Sequence, residues 1–276
     1  MNKRTALSLA FVVSFYYGQM AGADSTLEYL VHESGADAGK TQPVLVKNGK
    51  IMVKAAGGDA NLDVLYVRDQ AKLVIIDHHK RTFTPIDEQQ VNRISQQTEE
   101  IQPLLQGLGE QLAKVNPKQR AKWEQMLGGN ISLDKIAEAA KPAQAVNVVK
   151  AGTGKNVAGI ACEQMNVIEG KSAMAEFCIA DPDKLNLSSD DYATIRSLLT
   201  LAEKLAGKTQ GLARQFGISI PNIALRDVAG VPIEMRDLSG NNQGSLTLNR
   251  IVTSALSDDL LQIPNGYRAE QFQLWK

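Results

Sequence analysis

Histidine, cysteine, aromatic residues and long apolar runs are all scarce in this chain, and each shortage closes a class of function. Three histidines in 276 residues give little material for a nucleophilic triad, and no Gly-x-Ser-x-Gly occurs. The two cysteines, Cys162 and Cys178, form no Cys-x-x-Cys, and no basic neighbour lowers a thiol pKa, which argues against redox chemistry. Two tryptophans, six tyrosines and six phenylalanines are too few and too scattered for the stacking platforms of single-stranded nucleic acid. Thirty basic residues balance 30 acidic ones, so no positive excess steers the chain toward DNA or an anionic membrane. The uncharged run Ala6–Tyr17 is well short of the roughly 20 apolar residues that span a bilayer.

What is present begins at the N-terminus. Asn2-Lys3-Arg4 is a short basic head, Ala6–Tyr17 an apolar middle, and Ala21-Gly22-Ala23 sets small residues at the −3 and −1 positions of a cleavage site. That three-part order is a secretory signal, and it predicts cleavage between Ala23 and Asp24. No cysteine follows the site, which argues against a lipid-anchored form. Removing 23 residues from 276 leaves 253, with 28 basic against 30 acidic side chains. Phe11, Phe15, Tyr16 and Tyr17 leave with the signal. The expected location is the periplasm, with no transmembrane span after signal removal and no nucleic-acid partner.

An exported chain meets an oxidising compartment. Around Glu169-Gly170-Lys171 lie two strand-like runs, Ile160–Ile168 and Ser172–Ala180. Folded about Gly170, opposed residue numbers sum to 340, so that Cys162 faces Cys178. Directly opposed residues have Cβ atoms about 4.5–5.5 Å apart, near what a disulfide needs. The expectation is a Cys162–Cys178 disulfide; the alternative is a pair of reduced, buried thiols.

The mature N-terminal third reads as a meander of strands: Thr26–Glu33 with Leu27, Tyr29 and Val31 on one face, then Val44–Lys47 and Ile51–Lys54 about Asn48-Gly49. Leu62–Arg68, Lys72–Asp77 and Thr82–Ile86 follow. From Asp87 the period changes. Val91, Ile94, Thr98, Ile101, Leu105, Leu108, Leu112 and Val115 recur at spacings of three and four, an apolar helical stripe. Asp87 and Gln90 have capping-box spacing, and Pro103 should kink or split the helix. Asn116-Pro117 opens a second helix with Trp123, Met126 and Leu127 inward, and Ser132 a third running to Lys141-Pro142. Strands return at Ala145–Lys150 and in the cysteine hairpin. Ser188-Ser189-Asp190-Asp191 caps a helix carrying Ile195, Leu198, Leu199, Leu201 and Leu205. Val231–Leu238 and Ser245–Ser254 then pair, and a short turn at Ser257–Leu261 leads into Ile263-Pro264-Asn265-Gly266-Tyr267. Residues 24–276 thus read as a single α+β domain with a helical insertion at about 87–142.

Several chemical signatures nearly form, and each lacks a residue it needs. Gly207-Lys208-Thr209 ends like a phosphate-binding loop, but Ala202 stands where the leading glycine belongs. Asp59, Asn61 and Asp63 mimic the first ligands of a calcium loop, with Val64 and Gln70 at the required glycine and glutamate positions. His32-Glu33 lacks the second histidine of a zinc-protease helix, since Ala36 occupies it. Asp77-His78-His79 reads as a polar hairpin tip rather than a metal site. No catalytic residue, cofactor or metal ligand is assigned, and the chain reads as a non-enzyme.

Lys155-Asn-Val-Ala-Gly159-Ile-Ala-Cys162-Glu-Gln-Met-Asn-Val167 is similar to a glycine- and cysteine-bearing strand of a bacterial family of exported proteins with no assigned activity. Leu73–Ile86, Pro117–Leu127, Gly230-Val-Pro232-Ile and Leu261–Tyr267 resemble further elements of that family in the same order. Two positions depart from it: Phe177-Cys178 replaces a tryptophan, and Ile160 an aromatic. The family is thought to resemble the periplasmic lipoprotein carriers of the LolA and LolB kind. The resemblance implies an antiparallel, incompletely closed β-barrel or strongly curved sheet with helices on its open side. On that reading the function is to bind or carry an apolar or acyl ligand, such as a lipid or lipoprotein acyl chain, between sheet and helices. The competing expectation is an envelope protein-interaction module with a packed interior.

Overall fold

The computed structural model describes residues 24–32, 39–56, 59–87, 89–90, 92–93, 96, 107, 110–112, 114–126, 133, 146–215, 229–238 and 244–271. The expected signal segment with Ala23, the expected break at Pro103, most of the apolar stripe and most of the expected third helix lie outside them. Twelve strands form one sheet. They are β1 (Ser25–His32), β2 (Lys40–Lys47), β3 (Lys50–Val53), β4 (Leu62–Val67), β5 (Lys72–Asp77) and β6 (Thr82–Ile86), then β7 (Val146–Val157), β8 (Ile160–Glu169), β9 (Ser172–Ala180), β10 (Val231–Asp237), β11 (Ser245–Thr253) and β12 (Arg268–Ala269). Two helices are described, α1 (Pro117–Met126) and α2 (Ser189–Gln215).

The spatial order is β12-β6-β5-β4-β3-β2-β1-β11-β10-β9-β8-β7, antiparallel throughout except where β12 joins β6. The end strands β12 and β7 do not pair, so the sheet is an open, incompletely closed α+β architecture. Its two halves meet where β1 pairs with β11 over the whole of Ser25–His32. The helical block enters between β6 and β7.

Strand alternation sorts the side chains onto two faces. Leu27, Tyr29, Val46, Ile51, Tyr66, Cys178, Ile233 and Leu248 build one buried cluster, with Ile195 and Leu201 of α2 laid against it. The opposite parity builds Leu45, Met52, Leu65, Val74 and Ile76 at one end, covered by Leu256, Leu261, Ile263 and Tyr267 of the C-terminal segment. At the other end of the sheet it builds Met165, Val167, Ala175, Phe177 and Ile179. Burying each such aliphatic or aromatic side chain is worth about 1.5–3 kcal/mol, so the fold rests mainly on these clusters.

Three expectations need correction. The β8–β9 turn is the two-residue Gly170-Lys171, not three residues, and the ladder shifts again between Val167 and Ile168. Together these move the register from a sum of 340 to one of 342, so Cys162 faces Ala180 and Cys178 faces Gln164. Strand β7 runs on past Lys150, through an irregularity at Lys150–Gly154, to Val157. Trp123, expected inward, is 43% exposed.

Candidate functional site

Among the described residues, polar and apolar contacts meet along the seam between α2 and the sheet. Ser188 caps the helix, its hydroxyl accepting the Asp191 amide at 3.0 Å. Asp190 and Asp191 in the first turn suit the positive end of the helix. Each then ties the helix to a strand. The buried Ser25 hydroxyl of β1 donates to Asp191 Oδ2 at 2.6 Å. Arg68, just past β4, donates to Asp190 Oδ1 at 2.7 Å and to the Thr194 hydroxyl at 3.0 Å. Tyr66 of β4 meets the Ser197 hydroxyl at 2.6 Å. Burial pushes the Asp191 carboxyl above the usual carboxylate range, more than the Ser25 and Ser188 hydrogen bonds pull it down.

Interleaved with these polar contacts is an apolar one. Leu198, Leu199 and Leu205 pack on the sheet cluster while remaining only partly buried. On the sheet side, the Tyr29 phenol crosses to donate to the Pro232 carbonyl at 3.0 Å. Its full burial pushes its pKa well up, so it stays a neutral donor. Gly230 just before β10 is held at φ 126° with Ala180 O only 2.6 Å from where a Cβ would lie. Any side chain there would push β10 off β9.

Cys162 and Cys178 are joined in a disulfide, with a Cα–Cα distance of 5.4 Å. The bond runs diagonally across the β8–β9 ladder, the right-handed twist bringing these two positions together. Beside it on the same face, Lys155 of β7 pairs with Glu234 of β10, tying the edge strand across two neighbours. The disulfide closes a loop with a sequence separation of 16.

A third cluster joins three distant parts of the chain. Asp63 sits in an apolar strand, and its Oδ2 accepts from Lys54 Nζ at 2.7 Å and pairs with His78 Nε2 at 2.9 Å. Its Oδ1 takes the Ala55 amide at 3.1 Å. His78 Nδ1 meets the Tyr267 hydroxyl at 2.9 Å, and the Arg81 guanidinium lies 5.9 Å from the Tyr267 ring centre. Burial pulls the Asp63 carboxyl up, but the Lys54 and His78 hydrogen bonds outweigh it and hold it below the usual range. Carboxylate, imidazole and phenol are bonded to one another, so this chain of groups fastens the C-terminal segment over β4 and β5.

The near-motifs serve turns. Asp59 Oδ1 accepts the Asn61 amide at 2.8 Å, and Asp77 Oδ1 accepts that of Lys80 at 2.8 Å. Gly207-Lys208-Thr209 lies within α2. Among the described residues, no three His, Cys, Asp or Glu side chains gather as a metal site. Among them too, no helix is long and apolar enough to cross a membrane, which says nothing of strands. The Ser25–Asp191 and Asp63–His78–Tyr267 links escaped the sequence reading. Their one local signal is a charged residue within an apolar pattern, as in Leu62-Asp63-Val64-Leu65.

No family model matches this chain, and no curated protein matches it. Among solved structures, the chain is similar to the crystal structure of MucB, with 11% identity and a TM-score of 0.29. The alignment covers 89% of this chain and 58% of that one, so the chain spans less than two thirds of MucB. That overlap is too slight to assign a fold or an activity.

Proposed function

We propose that this chain is an exported, non-enzymatic binding protein that accommodates an apolar or acyl chain along the seam between α2 and the sheet. The observation that supports it most is the uneven attachment of α2. Asp190, Asp191 and Ser197 hold its N-terminal part to β1 and to the end of β4 by directional polar bonds, whereas the Leu198 and Leu199 side chains pack on the sheet cluster and stay only partly buried. A ligand that enters there replaces water on leucine side chains, the condition for apolar binding in a cleft. The secretory-type N-terminus and the disulfide support residence in the periplasm.

The test is titration with a fluorescent fatty-acyl probe after delipidation. Saturable binding that Leu199→Glu abolishes supports the reading; no uptake contradicts it. A second reading, a cell-envelope interaction module with a closed interior, is favoured by the sheet side of the seam. There Leu27, Ile51, Tyr66, Ile233 and Leu248 are already buried to within 2%. Cross-linking to a stable envelope protein, with no lipid in the purified material, would favour it.

A further inference from the structure

Asp191 is a buried carboxylate that no cation faces among the described residues. Around it stand the Ser25 hydroxyl from β1 and Ser188 at the helix cap, with two like charges nearby, the carboxylates of Asp190 and Asp24. Arg68 is engaged by Asp190 and Asp69, and Lys47 by Asp24 and Asp258. A charge so placed is destabilising unless it is neutralised. The chain at this point is fixed from both sides. The Asp24 carbonyl accepts the Ser254 amide at 3.1 Å, its Oδ2 accepts the Leu256 amide at 2.7 Å, and Lys47 pairs with that carboxylate at 3.3 Å. Ser25 is locked between β2 and β11.

Standard bond lengths then confine the backbone nitrogen of Asp24. It lies within about 5 Å of the Ser25 Cα, and so within about 10 Å of the Asp191 carboxylate through the 2.6 Å hydrogen bond. We propose that hydrolysis of the Ala23–Asp24 bond completes the fold electrostatically, because the α-ammonium it creates on Asp24 is the missing counter-charge of Asp191. The inference rests on the exported reading for the position of cleavage. Water adds across the peptide bond, leaving a carboxylate on Ala23 and an ammonium on Asp24. Before cleavage this nitrogen is a neutral amide; afterwards its charge lies within about one Debye length of the buried Asp191 side chain, so salt screens the pair only in part. Processing therefore makes the mature chain more stable than its precursor, a device suited to a protein that must stay unfolded until exported.

The test uses the mature chain from Asp24 onward, freed from a fusion by a protease that leaves no extra residue, against the same chain with Ser-Gly-Ser ahead of Asp24. Urea unfolding at pH 6 should show a folding constant about tenfold larger for the free Asp24 form, equivalent to a shift of about one unit in the Asp191 pKa. The gap should close by pH 10, where the ammonium loses its proton, and vanish in Asp191→Asn. Equal stability at pH 6 would overturn the proposal, as would a gap that survives Asp191→Asn. If the extended form does not fold, its rescue by Asp191→Asn supports the proposal and lack of rescue overturns it. The mass of the exported protein reports separately on the cleavage position. A different terminus there refutes the export site and leaves the charge pairing as measured.

Discussion

Cys178 lies opposite Gln164 in the β8–β9 ladder, two residues along from the cysteine to which it is bonded. The staple therefore fixes the shifted register created by the irregularity at Val167–Ile168. Closing a loop of this length contributes on the order of 3 kcal/mol in the chain-entropy model. Cys162→Ser with Cys178→Ser should lower the unfolding free energy by about that amount, read by urea denaturation. An unchanged midpoint would mean that the sheet holds the register without the bond.

Asp63 links the β3–β4 region to His78. Its folded-state pKa is depressed, so its contribution is present above the unfolded carboxylate pKa and is lost as pH falls through the lower folded value. Asp63→Asn should cost about 1.5 kcal/mol at pH 7, the range of a hydrogen bond to a charged group discounted for partial exposure of Lys54 and His78. The difference between the two proteins should shrink as pH is lowered below 4. Thermal unfolding across pH 2–7 measures it; a constant difference would remove the carboxylate charge from the account.

The opposite sign holds for Asp191. Its folded-state pKa is raised, so stability from this group is full below the unfolded carboxylate pKa and falls as pH rises through the folded one. In a chain extended ahead of Asp24, Asp191→Asn should therefore gain relative stability between mildly acidic and neutral pH. A gain that grows toward low pH instead would contradict the assignment.

Tyr66 is buried and bonds Ser197 across the seam. Tyr66→Phe keeps the ring and should cost about 1 kcal/mol. Leu201→Ala, deep in the same contact, should cost about 2–5 kcal/mol through lost burial and the cavity left behind. Chemical denaturation of both variants ranks the two costs, and a larger loss for Tyr66→Phe would reverse the view that the seam is held mainly by apolar packing.

The strands of the N-terminal meander were legible because their turns carry their own chemistry. Asn48 and Gly49 adopt φ 47° and 72°, the conformation that Asn-Gly favours. The β7–β8 turn was not, because Ala158 takes φ 52° there, a conformation that alanine seldom adopts and only tertiary context enforces. The cysteine pairing was legible from two strand-like runs and the expectation of an oxidising compartment, but its register was not, since an irregular step in a ladder leaves no mark on hydrophobic alternation. The Asp63–His78–Tyr267 chain joins residues up to 204 positions apart, and nothing local to Tyr267 announces it. The helix α2 was read correctly at its cap and along its leucines because both signals are local. What it leans against depended on β1 meeting β11, which sequence periodicity does not encode.

Native mass spectrometry of the protein purified from its native cells tests the binding proposal most directly. The account predicts a mature chain carrying one disulfide and a bound species of lipid mass, which organic extraction removes and a fatty-acyl probe replaces. A protein that shows only its bare mass, and still takes up no probe after extraction, would contradict it.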